Sequence, residues 1–193
     1  MRRVILCVVV LMMLPTIKSS AENPAGAVLY LESGGEVYLL LAEHARGERG
    51  WAGFGGGPRD GETIAETAAH KVEEESRGFF KRQGILKKLE GQAPIYDGDF
   101  GFYFVEVPFI PAQRVMNNPV PEDTDSFKER STYAWIPYSA VEGYLKEDID
   151  REKKYVVDPA FLPAGSRTNW FWIAWLRNMR TAAVAKAFPW DEE

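Results

Sequence analysis

The 193-residue sequence contains one cysteine, two histidines and no internal repeat or low-complexity tract. Because the single cysteine, Cys7, lies near the N-terminus, folding of the remaining chain depends on its core and not on disulfides. Basic residues number 23 against 28 acidic ones, which argues against general binding of nucleic acid or anionic membranes. The hydrophobic content of 46% and aromatic content of 13% are sufficient for a packed domain.

The first 21 residues have the pattern of a secretory signal peptide. Arg2 and Arg3 precede an apolar run over residues 4–15, and small residues follow as far as Ala21. The run is shorter than the roughly 20 residues that a bilayer span needs, although a retained N-terminal anchor is an alternative. We predict cleavage after Ala21 and export to the periplasm or the medium, with no stable membrane span afterwards. Cleavage removes three basic side chains and changes the formal charge from −5 to −8.

Residues 22–193 are predicted to form one domain in which strands and helices alternate. Two apolar runs, Gly26–Glu32 and Glu36–Ala42, flank a Ser-Gly-Gly turn and predict a β-hairpin. Three consecutive leucines in the second strand indicate that both of its faces are covered. Further strands are predicted over residues 95–96, 100–107 and 132–137, and helices over 63–77, 139–145 and 168–188. This pattern predicts an α/β fold in which helices cover a mixed β-sheet.

The last predicted helix, over residues 168–188, begins with an apolar sequence, NWFWIAWL. A helix that is apolar nearly all round is typical of a buried position, so we expect its tryptophans to pack in the core. Association with a membrane surface or with a second copy of the chain is the alternative role for these side chains.

Residues 51–79 carry most of the chemistry that the sequence offers. A glycine-rich segment, WAGFGGGPRDG, precedes Glu62 and a predicted helix whose last turns carry three consecutive glutamates. Helical residues three and four apart share a face, so we expect Lys71 to cluster with Glu74 and Glu75. Carboxylates beside backbone oxygens of a glycine segment can hold Mg²⁺ or Mn²⁺, and a solvated helix face is the alternative.

Arginines near this segment are candidates for contacting phosphate oxygens. Arg46 and Arg49 lie in a polar loop before the glycines, and Arg59 lies within the glycine-rich segment. Because the chain is acidic overall, a phosphorylated ligand has to be met by local arginines or by a bridging metal ion. A solvated loop without a ligand is the alternative for Arg46 and Arg49.

The stretch resembles the signature of the Nudix hydrolase superfamily, G-x5-E-x7-R-E-U-x-E-E-x-G-U, in which U is an aliphatic residue. The matching positions are Gly56, Glu62, Val72, Glu74 and Glu75. The preceding Trp-x-x-Phe-Gly-Gly and the later Trp-Ile-Pro at residues 135–137 add to the resemblance, which covers about residues 25–145. It implies a Nudix-type α/β/α sandwich and, in active members, cleavage of a nucleoside diphosphate linked to another group.

The resemblance also implies roles for individual residues. Glu74, Glu75 and the carbonyl of Gly56 would hold Mg²⁺ or Mn²⁺, with Glu62 in support. The expected ligand is a small phosphorylated metabolite or nucleotide, not a nucleic acid polymer. Together with the predicted signal peptide, these implications predict an exported hydrolase of a phosphoanhydride.

Three positions depart from the signature. His70 and Lys71 stand where the family has arginine and glutamate, and Arg77 stands where it has glycine. In active members that glutamate takes part in metal binding and base chemistry, whereas an ammonium group repels a cation. We therefore expect weak metal affinity and a large loss of turnover, and the alternative function is a Nudix-fold binding or interaction module. A base role for His70 near neutral pH is a further hypothesis.

Family members often draw a further acid from a loop outside the signature. The acids in the corresponding part of this chain are Glu122, Asp123, Asp125 and Glu129. Any of them is a candidate to replace the missing carboxylate, and a plain surface position is the alternative.

Overall fold

The structure is a computed structural model that describes residues 23–120 and 125–191. The predicted signal peptide, Cys7, Glu122 and Asp123 therefore lie outside the described residues. The strands of this part of the chain are β1 Ala25–Ser33, β2 Glu36–His44, β3 Trp51–Ala52, β4 Phe54–Gly56, β5 Ile95–Asp97, β6 Phe100–Glu106 and β7 Arg130–Pro137. The α-helices are α1 Ile64–Glu75, α2 Arg82–Leu89, α3 Ala112–Met116, α4 Ser139–Glu142 and α5 Ile173–Ala185.

The strands form one mixed sheet, whose main path runs β3-β2-β1-β6-β5 with β4 paired to β1 and β7 paired to β2. The hairpin of β1 and β2 is confirmed, with Ser33 opposite Glu36 across the two turn glycines. Both glycines have positive φ, which a glycine adopts without steric cost. The β1–β6 pair is parallel, and the other strand pairs are antiparallel.

Two apolar clusters lie on opposite faces of the sheet, which confirms the predicted layered α/β architecture. One cluster joins Leu39 and Leu41 of β2 to α4 and α5. The other joins Leu40 of β2 to α1, α2 and α3. The consecutive leucines of β2 are thus buried on both faces, as predicted, and β6 divides its side chains in the same way. No helix within residues 23–120 and 125–191 is long and apolar enough to cross a membrane.

Several predicted helix boundaries were wrong, and two helices were missed. The first signature helix ends at Glu75 instead of Arg77, because Arg77 itself has a φ of 56° and leaves the helical path. The C-terminal helix begins at Ile173 instead of residue 168, because residues 168–172 are extended and bond to the sheet. The segment that forms α3 was predicted as irregular chain, and no element was assigned to the segment that forms α2.

Candidate functional site

The glycine-rich strand β4 pairs with β1 and packs against the signature helix α1. A Cβ atom on Gly26 of β1 would lie 2.2 Å from the carbonyl oxygen of Phe54, so only glycine permits this strand spacing. Helix α1 begins at a capping box in which Thr63 and Glu66 exchange hydrogen bonds between side chain and backbone. The cap fixes the start of α1. The last turn of the helix then places Glu74 and Glu75 next to β4.

Glu74 is paired with two cations. Its Oε1 lies 2.6 Å from Nη2 of Arg59, and its Oε2 lies 2.9 Å from Nζ of Lys71. Burial raises the pKa of the Glu74 carboxyl, but the hydrogen bonds from Lys71 and Arg59 outweigh burial and hold that pKa below its usual range. Glu74 is therefore a carboxylate at neutral pH, although it is only 5% exposed.

Lys71 also lies directly against the glycine strand. A Cβ atom on Gly56 would be 2.8 Å from Cε of Lys71 and 3.4 Å from its Nζ. The absence of a side chain at position 56 thus leaves room for the lysine stem, and its ammonium group sits between Gly56 and Glu74. The lysine that departs from the signature consequently occupies the space between two residues expected to share a metal ion.

His70 lies between Glu74 and Glu62, the other signature acid. Its Nδ1 lies 2.5 Å from Oε2 of Glu62, and its Nε2 lies 3.8 Å from Oε2 of Glu74. The same Glu62 oxygen accepts a hydrogen bond from the backbone N–H of Arg59. Burial lowers the pKa of His70 in spite of the two carboxylates, so the ring is neutral at pH 7. Glu62, His70 and Glu74 form one buried row, which we call the acid–histidine row.

Glu75 points into a different environment from Glu74. Its Oε2 accepts hydrogen bonds from Nη2 of Arg130 and from the backbone N–H of Gly55, both at 2.9 Å. Glu75 and Arg130 are 2% and 1% exposed, and the Tyr133 hydroxyl donates to the Glu75 carbonyl. Burial raises the pKa of Glu75, and the charge of Arg130 opposes that shift. This pair joins α1 to the start of β7 and has the character of a structural ion pair.

Arg130 was not anticipated from the sequence, yet it organises this side of the site. Its guanidinium group also donates to the Gly53 carbonyl at 3.0 Å and to Nδ1 of His44 at 2.8 Å. The only sequence signal was an arginine two residues before the predicted strand over residues 132–137. Its partners precede it by 55 to 88 residues, so no local pattern reveals them.

The predicted phosphate contacts are divided between two places. Arg59 lies at Glu74, whereas Arg46 and Arg49 line a separate cavity of about 450 Å³ together with Asp125 and Glu129. This second cavity also contains His44, which links it to Arg130 and Glu75. Asp125 and Glu129 are therefore placed near the loop arginines and not in contact with the acid–histidine row.

The residues present do not fit a divalent ion shared by Glu74 and Glu75. Both oxygens of Glu74 are engaged by cationic groups, and Glu75 is committed to Arg130 and Gly55. Lys71 fills the gap next to Gly56 with positive charge, which repels a second cation. Within the described residues, no group of three His, Cys, Asp or Glu side chains is arranged to hold a metal ion.

No curated protein sequence matches this chain. Among solved structures, a C. elegans Ap4A hydrolase described as a binary complex is similar with a TM-score of 0.43 and 14% sequence identity. That similarity covers 86% of this chain and 98% of the hydrolase chain. The family model of the NUDIX domain matches residues 22–158, which include the whole glycine segment and α1. This chain belongs to the Nudix family.

Proposed function

We propose that this chain hydrolyses a phosphoanhydride bond in a small phosphorylated molecule, with low turnover compared with a site that has all its signature acids. Family membership supports the reaction class. The observation that carries the proposal is the acid–histidine row, which ends at Glu74 between the cations Arg59 and Lys71. Such a site combines positive charge for phosphate oxygens with a carboxylate that can accept a proton.

The roles follow from the contacts. Arg59 is 57% exposed at its side chain and is free to turn from Glu74 towards an incoming phosphate. Lys71 is 15% exposed at its side chain and lies next to Gly56. Glu74 then accepts the proton of the attacking water, and the hydrogen bond from Lys71 to its Oε2 holds the carboxylate in place. The hydrolysis joins the water oxygen to phosphorus and breaks the bridging P–O bond. Mg²⁺ or Mn²⁺ is not required in this proposal, because its expected ligands are already paired.

A second candidate function is binding without hydrolysis, as a Nudix-fold recognition module. The observation that favours it is the ammonium of Lys71 at the position expected for a metal-binding carboxylate. Such a module binds its phosphorylated ligand through Arg59 and Lys71. Its binding persists in EDTA and does not need Glu74 as a base.

One experiment separates the two candidates. Release of phosphate or nucleoside monophosphate is measured over a panel of nucleoside diphosphate derivatives with EDTA, Mg²⁺ or Mn²⁺. We compare the wild-type chain with Glu74→Gln and with Glu73→Gln. Glu73 is a control on the same helix, and its carboxylate contacts the Lys81 ammonium and the backbone N–H of Arg82. Hydrolysis predicts turnover that falls at least 100-fold in Glu74→Gln and stays within about twofold in Glu73→Gln.

The same panel contradicts the hydrolase if wild-type turnover does not exceed that of Glu74→Gln. Calorimetric binding that survives EDTA and Glu74→Gln then supports the recognition module. A Lys71→Glu variant adds a direct test of the lysine. It should gain Mg²⁺-dependent activity if the site is an impaired enzyme, and it should gain none if the site serves only binding.

A further inference from the structure

A cavity of about 380 Å³ lies outside the acid–histidine row, between the loop that joins β2 to β3 and the segment before α5. Glu48 and Arg49 form one wall, and residues 151–154 form another. Trp170 and Trp172 line the cavity from the extended segment, which lies beyond the residues that the NUDIX domain model matches. The volume is within the range of small-molecule sites.

Cations outnumber acids in this cavity, although the chain as a whole is acidic. The charged side chains that line it are the cations Arg49, Arg151, Lys153 and Lys154 and the acids Glu48 and Glu152. Within residues 23–120 and 125–191, only Lys153 has a carboxylate at ion-pair distance, since its Nζ lies 3.9 Å from Oδ2 of Asp150. The other three cations therefore carry charge that an anionic ligand can neutralise.

Two of these three cations are held on tryptophan rings. Nζ of Lys154 lies 3.7 Å from the ring centre of Trp170, and Cζ of Arg49 lies 5.6 Å from that of Trp172. Both distances are within the reach of about 6 Å of a cation–π contact. Such a contact positions a cation through the face of the ring, so the N–H groups of Lys154 and Arg49 stay available for oxygen acceptors.

Backbone contacts with the sheet fix the two rings. The N–H of Trp51 donates to the Trp170 carbonyl at 2.9 Å, and the Trp51 carbonyl accepts from the N–H of Trp172 at 2.8 Å. The indole of Trp170 donates to the Glu48 carbonyl at 3.2 Å. Gly50 permits this close approach, because a Cβ atom there would collide with the Trp170 carbonyl oxygen. The rings are thus a fixed base for the cations above them.

The loop that carries the lysine is fixed as well. The N–H of Phe171 donates to the Tyr155 carbonyl at 2.9 Å, and the N–H of Val157 donates to the Asn169 carbonyl at 2.8 Å. These bonds align residues 155–157 with residues 169–171 and so place Lys154 at the tryptophans. A cation that is already positioned loses less conformational entropy on binding an anion than a mobile surface lysine does.

We infer that this cavity binds a compact oxyanion with several negative charges, such as a short chain of phosphoryl groups. Its three cations without a carboxylate supply the charge, and phosphoryl oxygens accept charge-assisted hydrogen bonds from guanidinium and ammonium groups. A base or sugar that stacks on either tryptophan has to displace the cation above the ring, so the cavity disfavours such ligands. The inference is independent of the proposed function, because neither Arg59, Lys71 nor the acid–histidine row lines this cavity.

The test measures binding of tripolyphosphate, inorganic phosphate and hexaglutamate by calorimetry in EDTA. It uses the full chain with Arg59→Gln, which removes the exposed cation of the candidate site and so weakens anion binding there. We expect tripolyphosphate to bind with a millimolar or lower dissociation constant and more tightly than the other two anions. Absence of tripolyphosphate binding overturns the inference. Equal or tighter binding of phosphate, or of hexaglutamate as an acidic peptide, overturns it as well.

Two double variants in the same Arg59→Gln background locate the binding. Arg49→Gln/Lys154→Gln removes both cations that lie on the tryptophans. Its control, Lys87→Gln/Lys88→Gln, changes the net charge equally by removing two exposed lysines of α2. We expect at least about a tenfold loss of tripolyphosphate affinity in the first variant and less than about a twofold change in the control. Equal losses in both, or no loss in the first, overturn the inference.

A charge-retaining variant separates anion binding from packing of the loops. Arg49→Lys/Lys154→Arg exchanges the two cations and keeps both positive charges at the cavity. We expect its tripolyphosphate affinity to stay closer to that of the Arg59→Gln chain than to that of Arg49→Gln/Lys154→Gln. An equally large loss in the charge-retaining variant would mean that the two side chains act through packing, and it would overturn the inference. Circular dichroism checks that each variant is folded.

Discussion

His44 shows how a single buried ring depends on one neighbouring charge. Burial, followed by the charge of Arg130, lowers the pKa of His44 to about 3. Since the arginine always donates, Nδ1 of His44 acts as an acceptor in the contact at 2.8 Å. Its folded pKa lies below its unfolded pKa of about 6.5, so the neutral ring stabilises the fold above that pH. This contribution is lost as the pH falls from about 6.5 towards 3.

We predict that the free energy of unfolding of the wild-type chain decreases below pH 6.5, by up to about 1.4 kcal/mol per pH unit for this one proton. His44→Gln keeps an acceptor for Arg130 but cannot be protonated, so its unfolding free energy should fall less steeply. Urea titrations at several pH values between 7 and 4 measure both slopes. The remaining slope in His44→Gln reports other groups, among them His70. Equal slopes in the two proteins would contradict the role given to His44.

For individual side chains, the sequence predicted contacts only between residues on the same helix. The pairing of Lys71 with Glu74 was predicted, because residues three apart on a helix meet. Glu74 and Glu75 were also expected to lie together beside Lys71, but the Glu75 carboxylate contacts Arg130 instead. The position of that arginine depends on how β7 joins the sheet, which no spacing within residues 51–79 encodes.

The end of α1 carries local backbone strain. Arg77 has a φ of 56°, in the left-handed region that favours glycine, at the position where the Nudix signature has glycine. Asn118 compensates in part, because its amide donates to the Arg77 carbonyl at 2.5 Å and its own carbonyl accepts from Nε of Arg77 at 3.2 Å. The helix is then closed by the N–H of Gly78, which donates to the Glu73 carbonyl at 2.7 Å.

We predict that Arg77→Gly is more stable than Arg77→Ala by about 1 kcal/mol, because both variants lose the contact from Nε and only alanine keeps the left-handed strain. Denaturant unfolding of the two variants gives the difference directly. Lys87 is the matched control, since it is an exposed residue within α2. There the order should reverse, with the glycine variant less stable by about 1 kcal/mol. The same order at both positions would argue against strain at Arg77.

The predicted elements agreed with the structure where hydrophobic periodicity and turn residues coincide, as in the β1–β2 hairpin and α1. The start of α5 was misplaced because its tryptophan-rich sequence suits either a buried helix or a buried extended segment. Tertiary contacts decide between them. The N–H and hydroxyl of Thr168 donate to buried Glu43, and the indole of Trp51 donates to the Thr168 carbonyl. These bonds keep residue 168 out of the helix.

For the whole molecule, we propose that the chain is exported and that residues 1–21 are removed. The proposal comes from the sequence, since this segment lies outside the described residues. In a Gram-negative expression host, we predict that the protein of the periplasm or medium begins at Glu22, as mass spectrometry of the intact chain would show. Ala21→Asp should slow processing and leave a longer, cell-associated chain, because cleavage sites need small residues. An intact N-terminus on cytosolic protein would contradict export.

The extended segment before α5 has a consequence for the association state of the chain. Trp51 uses its N–H to bond the Trp170 carbonyl and its carbonyl to accept from the N–H of Trp172. Unpaired N–H and C=O groups of an edge strand can form hydrogen bonds with a strand of another chain. Such pairing is a common start of aggregation. The NUDIX domain match stops at residue 158, so a chain cut at that boundary loses this cover together with Phe171, Trp175 and Leu176 of the core. The C-terminal segment therefore covers the backbone N–H and carbonyl of Trp51 and prevents them from pairing with another chain.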